Sequence, residues 1–173
     1  MKFEDNGQRI KELHVTLQRV TYAAMLFDED GISARFMNGN PKSRLINNIN
    51  NDTQINELVG SVDFRGLTPM GTSLRNKVID PLVVGKQLRK PVLVVVLTDG
   101  KPSGEADNAL FETIQYTHAQ LSRSPYGPGA VAFQIAQIGN DQDAMSFLAS
   151  VDKHPGIGHL VDCTSSKLLR PVA

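Results

Sequence analysis

The sequence predicts a three-layer α/β/α domain with a mostly parallel sheet, and three observations carry that expectation. Residues 91–97, PVLVVVL, are apolar and β-branched without alternation, the pattern of a strand buried on both faces by helices. Helical and strand periodicities alternate along the chain, which implies layered packing with right-handed crossovers. The apolar run stops abruptly at Thr98-Asp99-Gly100, which places a hydroxyl and a carboxylate at the carboxyl end of a strand. In open α/β sheets that is where ligands bind.

Residues 8–27 repeat apolar side chains at spacings of three and four: Ile10, Leu13, Leu17, Val20, Ala24 and Phe27. This predicts a helix, ended by Asp28-Glu29-Asp30-Gly31. ISARFM at 32–37 alternates and predicts a strand. The asparagine-rich stretch 38–51 predicts a loop, and residues 53–62 a short helix capped by Asp52 or Thr53. Phe64–Thr72 is irregular. Thr72 is placed to cap a helix over Ser73–Val83, which Pro81 bends or ends. After the 91–97 strand come a helix over 106–123, a strand over 130–138, a helix over 142–150 and a last short strand at His159–Val161. No linker divides the 173 residues, so one domain over 1–173 is expected.

Eighteen basic residues balance eighteen acidic ones, which gives no reason to expect nucleic acid or an anionic membrane as partner. The absence of Trp and the presence of only three Tyr also argue against a base-stacking surface. The single cysteine, Cys163, cannot form an internal disulfide, and the opening residues lack an apolar signal core. The longest apolar run is too short to span a membrane. A cytoplasmic location is therefore expected.

Loops that start at Asn38, Thr98 and Gly139 are expected at the strands' carboxyl ends, with Phe64–Thr72 facing the same edge. A carboxylate at Asp99 is costly there unless hydrogen-bonded, hydrated or bound to a cation. It reads either as a turn cap or as an oxygen ligand for a hard divalent cation, with Thr68 as a second oxygen. Thr68 also reads as a plain turn hydroxyl before Pro69. His14, His118, His154 and His159 read as surface or structural, and neither they nor Cys163 match a zinc spacing. No glycine cluster carries the phosphate-binding pattern.

The segments FRGLTPMGTSL (64–74), LRKPVLVVVLTDGKPSGE (88–105) and the opening MKFEDNGQRI resemble the von Willebrand factor type A domain family, over nearly the whole chain. That resemblance implies a Rossmann-like sheet and a metal-ion-dependent adhesion site at its carboxyl edge. It implies Mg²⁺ held by Thr68 and Asp99 together with an Asp-x-Ser-x-Ser motif after the central first strand. An acidic residue of a protein partner then completes the metal. The family binds and does not usually catalyse.

No Asp-x-Ser-x-Ser occurs in this sequence. In relatives the motif is expected just before Met-x-Phe-Glu-Asp, and here that methionine is Met1. The expectation is therefore a domain lacking its central first strand, which in the family lies between ISARFM and PVLVVVL, and retaining a degraded site at Thr68 and Asp99. Glu4 and Asp5 are the nearest replacement ligands. The expected function is non-enzymatic protein binding with weak Mg²⁺ affinity and no other cofactor, accompanied by self-association through unpaired strands. The alternatives are an inactive fragment and, less favoured, a nucleotide- or phosphate-handling enzyme.

Overall fold

The computed structural model describes residues 5–39 and 41–164. The chain packs as two compact units, Met1–Gly66 and Leu67–Ala173. Among the described residues the fold is mixed α/β, with five α-helices and a three-stranded parallel sheet.

In the first unit, α1 spans Gln8–Met25 and α2 spans Asp52–Gly60. Leu45, Ile49, Ile55 and Leu58 form its buried core, against which Leu17, Ile32, Ala34 and Phe36 pack. Asn51, not Asp52 or Thr53, caps α2, its side chain accepting the Gln54 N–H at 3.0 Å. ISARFM is not a sheet strand. Ile32 makes an isolated antiparallel bridge with Ile49, and the Ala34 N–H donates to the Ile46 carbonyl. The alternation is real, but it serves a local apolar cluster. Gly31 makes this fold-back possible: its φ is +72°, and a Cβ there would lie 2.4 Å from the Ile49 carbonyl oxygen. Helix α1 ends before Phe27, which is 91% exposed and so does not extend the buried stripe.

The second unit is a βαβαβ chain. Strand β1 is Val92–Thr98, α4 Ala109–Ser122, β2 Val131–Gln137, α5 Gln142–Asp152 and β3 Val161–Thr164. The order is β1-β2-β3, all parallel, with Val92 opposite Val131 and Phe133 opposite Val161. The last strand thus starts where the sequence pattern ended it. Leu110, Ile114, Thr117 and Leu121 of α4 are buried, as are Val131, Phe133 and Ile135 of β2. Between α4 and β2 lies a pocket of about 20 Å³, lined in part by Ile114, Leu121, Val131 and Phe133. It has room for about one water and none for an organic ligand.

The expectation that PVLVVVL is buried on both faces is corrected. Strand β1 is the edge of the described sheet, Leu93 is 60% exposed, and only Thr98 in the strand is fully buried. The central, buried strand is β2. Apolar composition reflects what a strand needs from its neighbours, and β1 has a neighbour on one side only.

Helix α3 spans Met70–Leu74 and runs into a π-helical segment over Arg75–Val84. Pro81 lies inside this segment and does not end it. In an α-helix its ring would press on the carbonyl four residues back. The wider turn relieves that clash, and the Gly85 N–H reaches the Asp80 carbonyl five residues back at 2.7 Å.

Helices α3 and α4 approach most closely at Gly71. A Cβ there would lie 2.3 Å from the backbone carbon of Ala109 and from the Leu110 nitrogen. Gly71→Ala must push the helices apart and should cost about 1–3 kcal/mol, as overpacking does. Gly129 has open space around it. Urea denaturation should show Gly129→Ala close to wild type and Gly71→Ala with a lowered midpoint. Equal midpoints would contradict the close approach.

Candidate functional site

Strand β1 delivers its polar end into a closed turn. The Thr98 hydroxyl donates to the Gly100 carbonyl at 2.7 Å and accepts the Gly100 N–H at 3.3 Å. The buried hydroxyl of Thr98 is thus used structurally, and Asp99 beside it is half-buried. The Thr98 carbonyl accepts the Ile138 N–H at 2.7 Å, which continues the β1–β2 ladder to the carboxyl edge.

The loop after β1 is tied to the loop that carries Thr68. The Thr68 N–H donates to the Ser103 hydroxyl at 3.0 Å, and the Ser103 N–H donates back to the Thr68 carbonyl at 2.9 Å. Two residues on, Glu105 Oε1 accepts the Gly71 N–H at 2.9 Å and Oε2 the Thr72 N–H at 2.7 Å. One carboxylate thus holds both leading amides of α3. This corrects the expected cap: α3 starts at Met70, no side chain of its N-cap residue Pro69 bonds to it, and Thr72 is a recipient within the helix. Anionic oxygens suit a helix start because its first N–H groups have no partner within the helix.

Thr68 is half-buried, and its backbone, not its side chain, makes the turn. Among the described residues no hydrogen bond engages its hydroxyl. The structure therefore brings the Thr68 loop and the Asp99 loop together at the carboxyl edge of the sheet. A third loop joins them. Lys101 Nζ lies 3.0 Å from Asp143 Oδ2 in the first turn of α5, where Asp141 caps the helix by accepting the Ala144 N–H. Gln137, buried at the end of β2, donates through Nε2 to the Asp141 carbonyl at 2.8 Å. Its Oε1 is buried and has no hydrogen-bond partner among the described residues. The Asn38 segment follows no strand of this sheet.

Sequence reasoning missed Ser103, Glu105 and Gln137. Ser103 and Glu105 stood in the quoted 88–105 segment, and a carboxylate seven residues beyond the end of β1 was the available signal. Glu4 and the side chain of Asp5 lie outside the described residues.

Thr68 and Asp99 offer two oxygens, whereas Mg²⁺ takes about six. Among the described residues no group of three or more His, Cys, Asp or Glu is placed to hold a metal. Thr68 and Asp99 by themselves are too few donors to fill a Mg²⁺ shell.

Two of the histidines are engaged structurally. His154 stacks on Phe111 at 4.7 Å and accepts the Gly156 N–H, and His14 pairs with Asn56 at 2.6 Å. Burial, with Asp152 and Asp162 adding to it, pushes the Cys163 thiol up to about 11. Almost no thiolate exists at neutral pH, so Cys163 is a poor nucleophile there.

No helix among the described residues is long and apolar enough to cross a membrane. No family model, curated protein or solved structure matches the chain.

Removing the Glu105 carboxylate strands two helix-start amides and leaves the reciprocal Thr68–Ser103 pair as the tie between the two loops. Glu105→Ala should cost about 1–3 kcal/mol and Ser103→Ala about 1 kcal/mol, read as lowered midpoints in urea denaturation. A Glu105→Ala midpoint equal to wild type would contradict the role given to the carboxylate.

Proposed function

We propose that this chain is a non-enzymatic protein-binding module of the von Willebrand factor A type, built on the three-layer α/β/α plan, whose metal-ion-dependent adhesion site is degraded. The observation that carries the reading is the joining of three loops at one sheet edge. Ser103 and Glu105 bind the Thr68 loop to the loop after β1, and Lys101 reaches Asp143 beyond β2. That edge is where open parallel sheets present their binding surface.

The sequence segments around Thr68 and Asp99 support the family assignment. The shortage of oxygen donors, with no Asp-x-Ser-x-Ser in the 173 residues, supports a site that has lost its cation. Binding then rests on the loop surface itself: the Thr68 hydroxyl, the Asp99 carboxylate and exposed Leu67. No step of it passes through a metal.

Two measurements test the reading. Calorimetric titration with Mg²⁺ or Mn²⁺ should give no affinity tighter than about millimolar. Tight one-to-one binding abolished by Asp99→Ala would contradict the degraded site. Immobilised chain should capture the same proteins with and without EDTA and lose them on Thr68→Arg. Capture unchanged by that substitution would contradict binding through the loop edge.

A further inference from the structure

The outer edge of β1 is set apart from the loops. The bond from the Ile138 N–H to the Thr98 carbonyl fixes which residues of β1 face β2. Main-chain groups alternate along a strand, so Val92, Val94, Val96 and Thr98 point theirs at β2. Leu93, Val95 and Leu97 point theirs outward. Among the described residues no strand pairs with that side.

Three N–H groups and three carbonyls thus stand in a row along an apolar strand. Natural edges are usually blunted by a charge, a proline or a bulge within the strand. Here Val92–Leu97 contains none of these. Pro91 and Asp99 bracket the free segment and leave its centre clear.

We propose that the β1 edges of two copies of this chain pair antiparallel about a two-fold axis at Val95, giving a continuous six-stranded sheet. Residues 93–97 read Leu-Val-Val-Val-Leu in either direction. A two-fold antiparallel pair needs each residue to meet a partner whose main chain also points outward. With Val95 opposite Val95 of the second copy, Leu93 meets Leu97 and the condition holds at all three outward positions. The three pairs exchange six hydrogen bonds.

Cross-strand partners on each face are then Leu with Leu and Val with Val, pairs that stabilise sheets. Pro91, which has no N–H, falls opposite Asp99 where the ladder ends.

The test uses the full chain in analytical ultracentrifugation over micromolar to near-millimolar concentrations. The wild type should be a dimer. Val95→Pro removes only an outward N–H from each copy and no bond to β2. Losing the two corresponding hydrogen bonds should raise the dissociation constant about 30-fold. Val95→Lys should also weaken the dimer and does not rely on a proline being accommodated. Ala149→Lys, on the exposed surface of α5, should leave it unchanged. Hydrogen exchange should show amides of Leu93, Val95 and Leu97 protected on dimerisation. A wild type monomeric throughout, or a dimer unaffected by both Val95 variants, would overturn the proposal. Protection of those three amides in a monomer would overturn it too, by assigning the edge to another occupant.

Discussion

The arrangement of the second unit depends on one carboxylate. Glu105 takes the Gly71 and Thr72 amides with its two oxygens, and so sets where α3 begins and where the loop after β1 must lie. The reciprocal pair between Thr68 and Ser103 follows once those segments are side by side. Gly71 then sits against the α4 backbone, with its carbonyl accepting the Thr113 hydroxyl at 3.2 Å. A charged acceptor is suited to this position, because hydrogen bonds to ionised groups are stronger than neutral ones.

Local order at the carboxyl edge contrasts with the open flank of the same sheet. At its C-terminal end β1 closes into a bonded turn at Thr98. Among the described residues β2 is the one strand paired along its length. Polar contacts cross the face that Leu93 shares with Gln134 and Asp162, where the Gln134 Nε2 donates to Asp162 Oδ2 at 3.2 Å. The same strand therefore anchors a loop site and presents an apolar ladder. The proposed loop surface and the proposed strand-edge pairing make different physical demands, hydrogen-bonding side chains in one case and bare backbone in the other. Each is met by a different part of β1.

The local elements were legible in the sequence. The three- and four-residue spacing of Leu110, Ile114, Thr117 and Leu121 marked α4, and the apolar residues of 131–137 marked β2. What escaped was non-local. The α3 start is set by a carboxylate 34 residues further on, and no local capping pattern could show it. The β-branched run of β1 looked like a strand covered on both sides, yet composition carries no record of how many neighbours the fold supplies. ISARFM alternates as a strand does, but alternation cannot say whether the partner is a sheet or a single residue such as Ile49. At the site, Asp99 was visible as a strand-end carboxylate and Thr68 as a hydroxyl in the loop before a helix, whereas Ser103 and Glu105, which join their loops, were hidden in a turn-rich stretch. The passage of a helix through Pro81 depends on a wider turn that residue propensities do not anticipate.

The central claim is that the Glu105 carboxylate clamps the Thr68 loop to the loop after β1. Amide hydrogen exchange, resolved by residue in the wild-type chain and in Glu105→Gln, reads it most directly. The account predicts Gly71 and Thr72 amides protected in wild type and exchanging much faster in the variant, with the α4 amides of Ile114 and Thr117 little changed. Fast exchange at Gly71 and Thr72 in the wild type, or equal protection in both proteins, would contradict it.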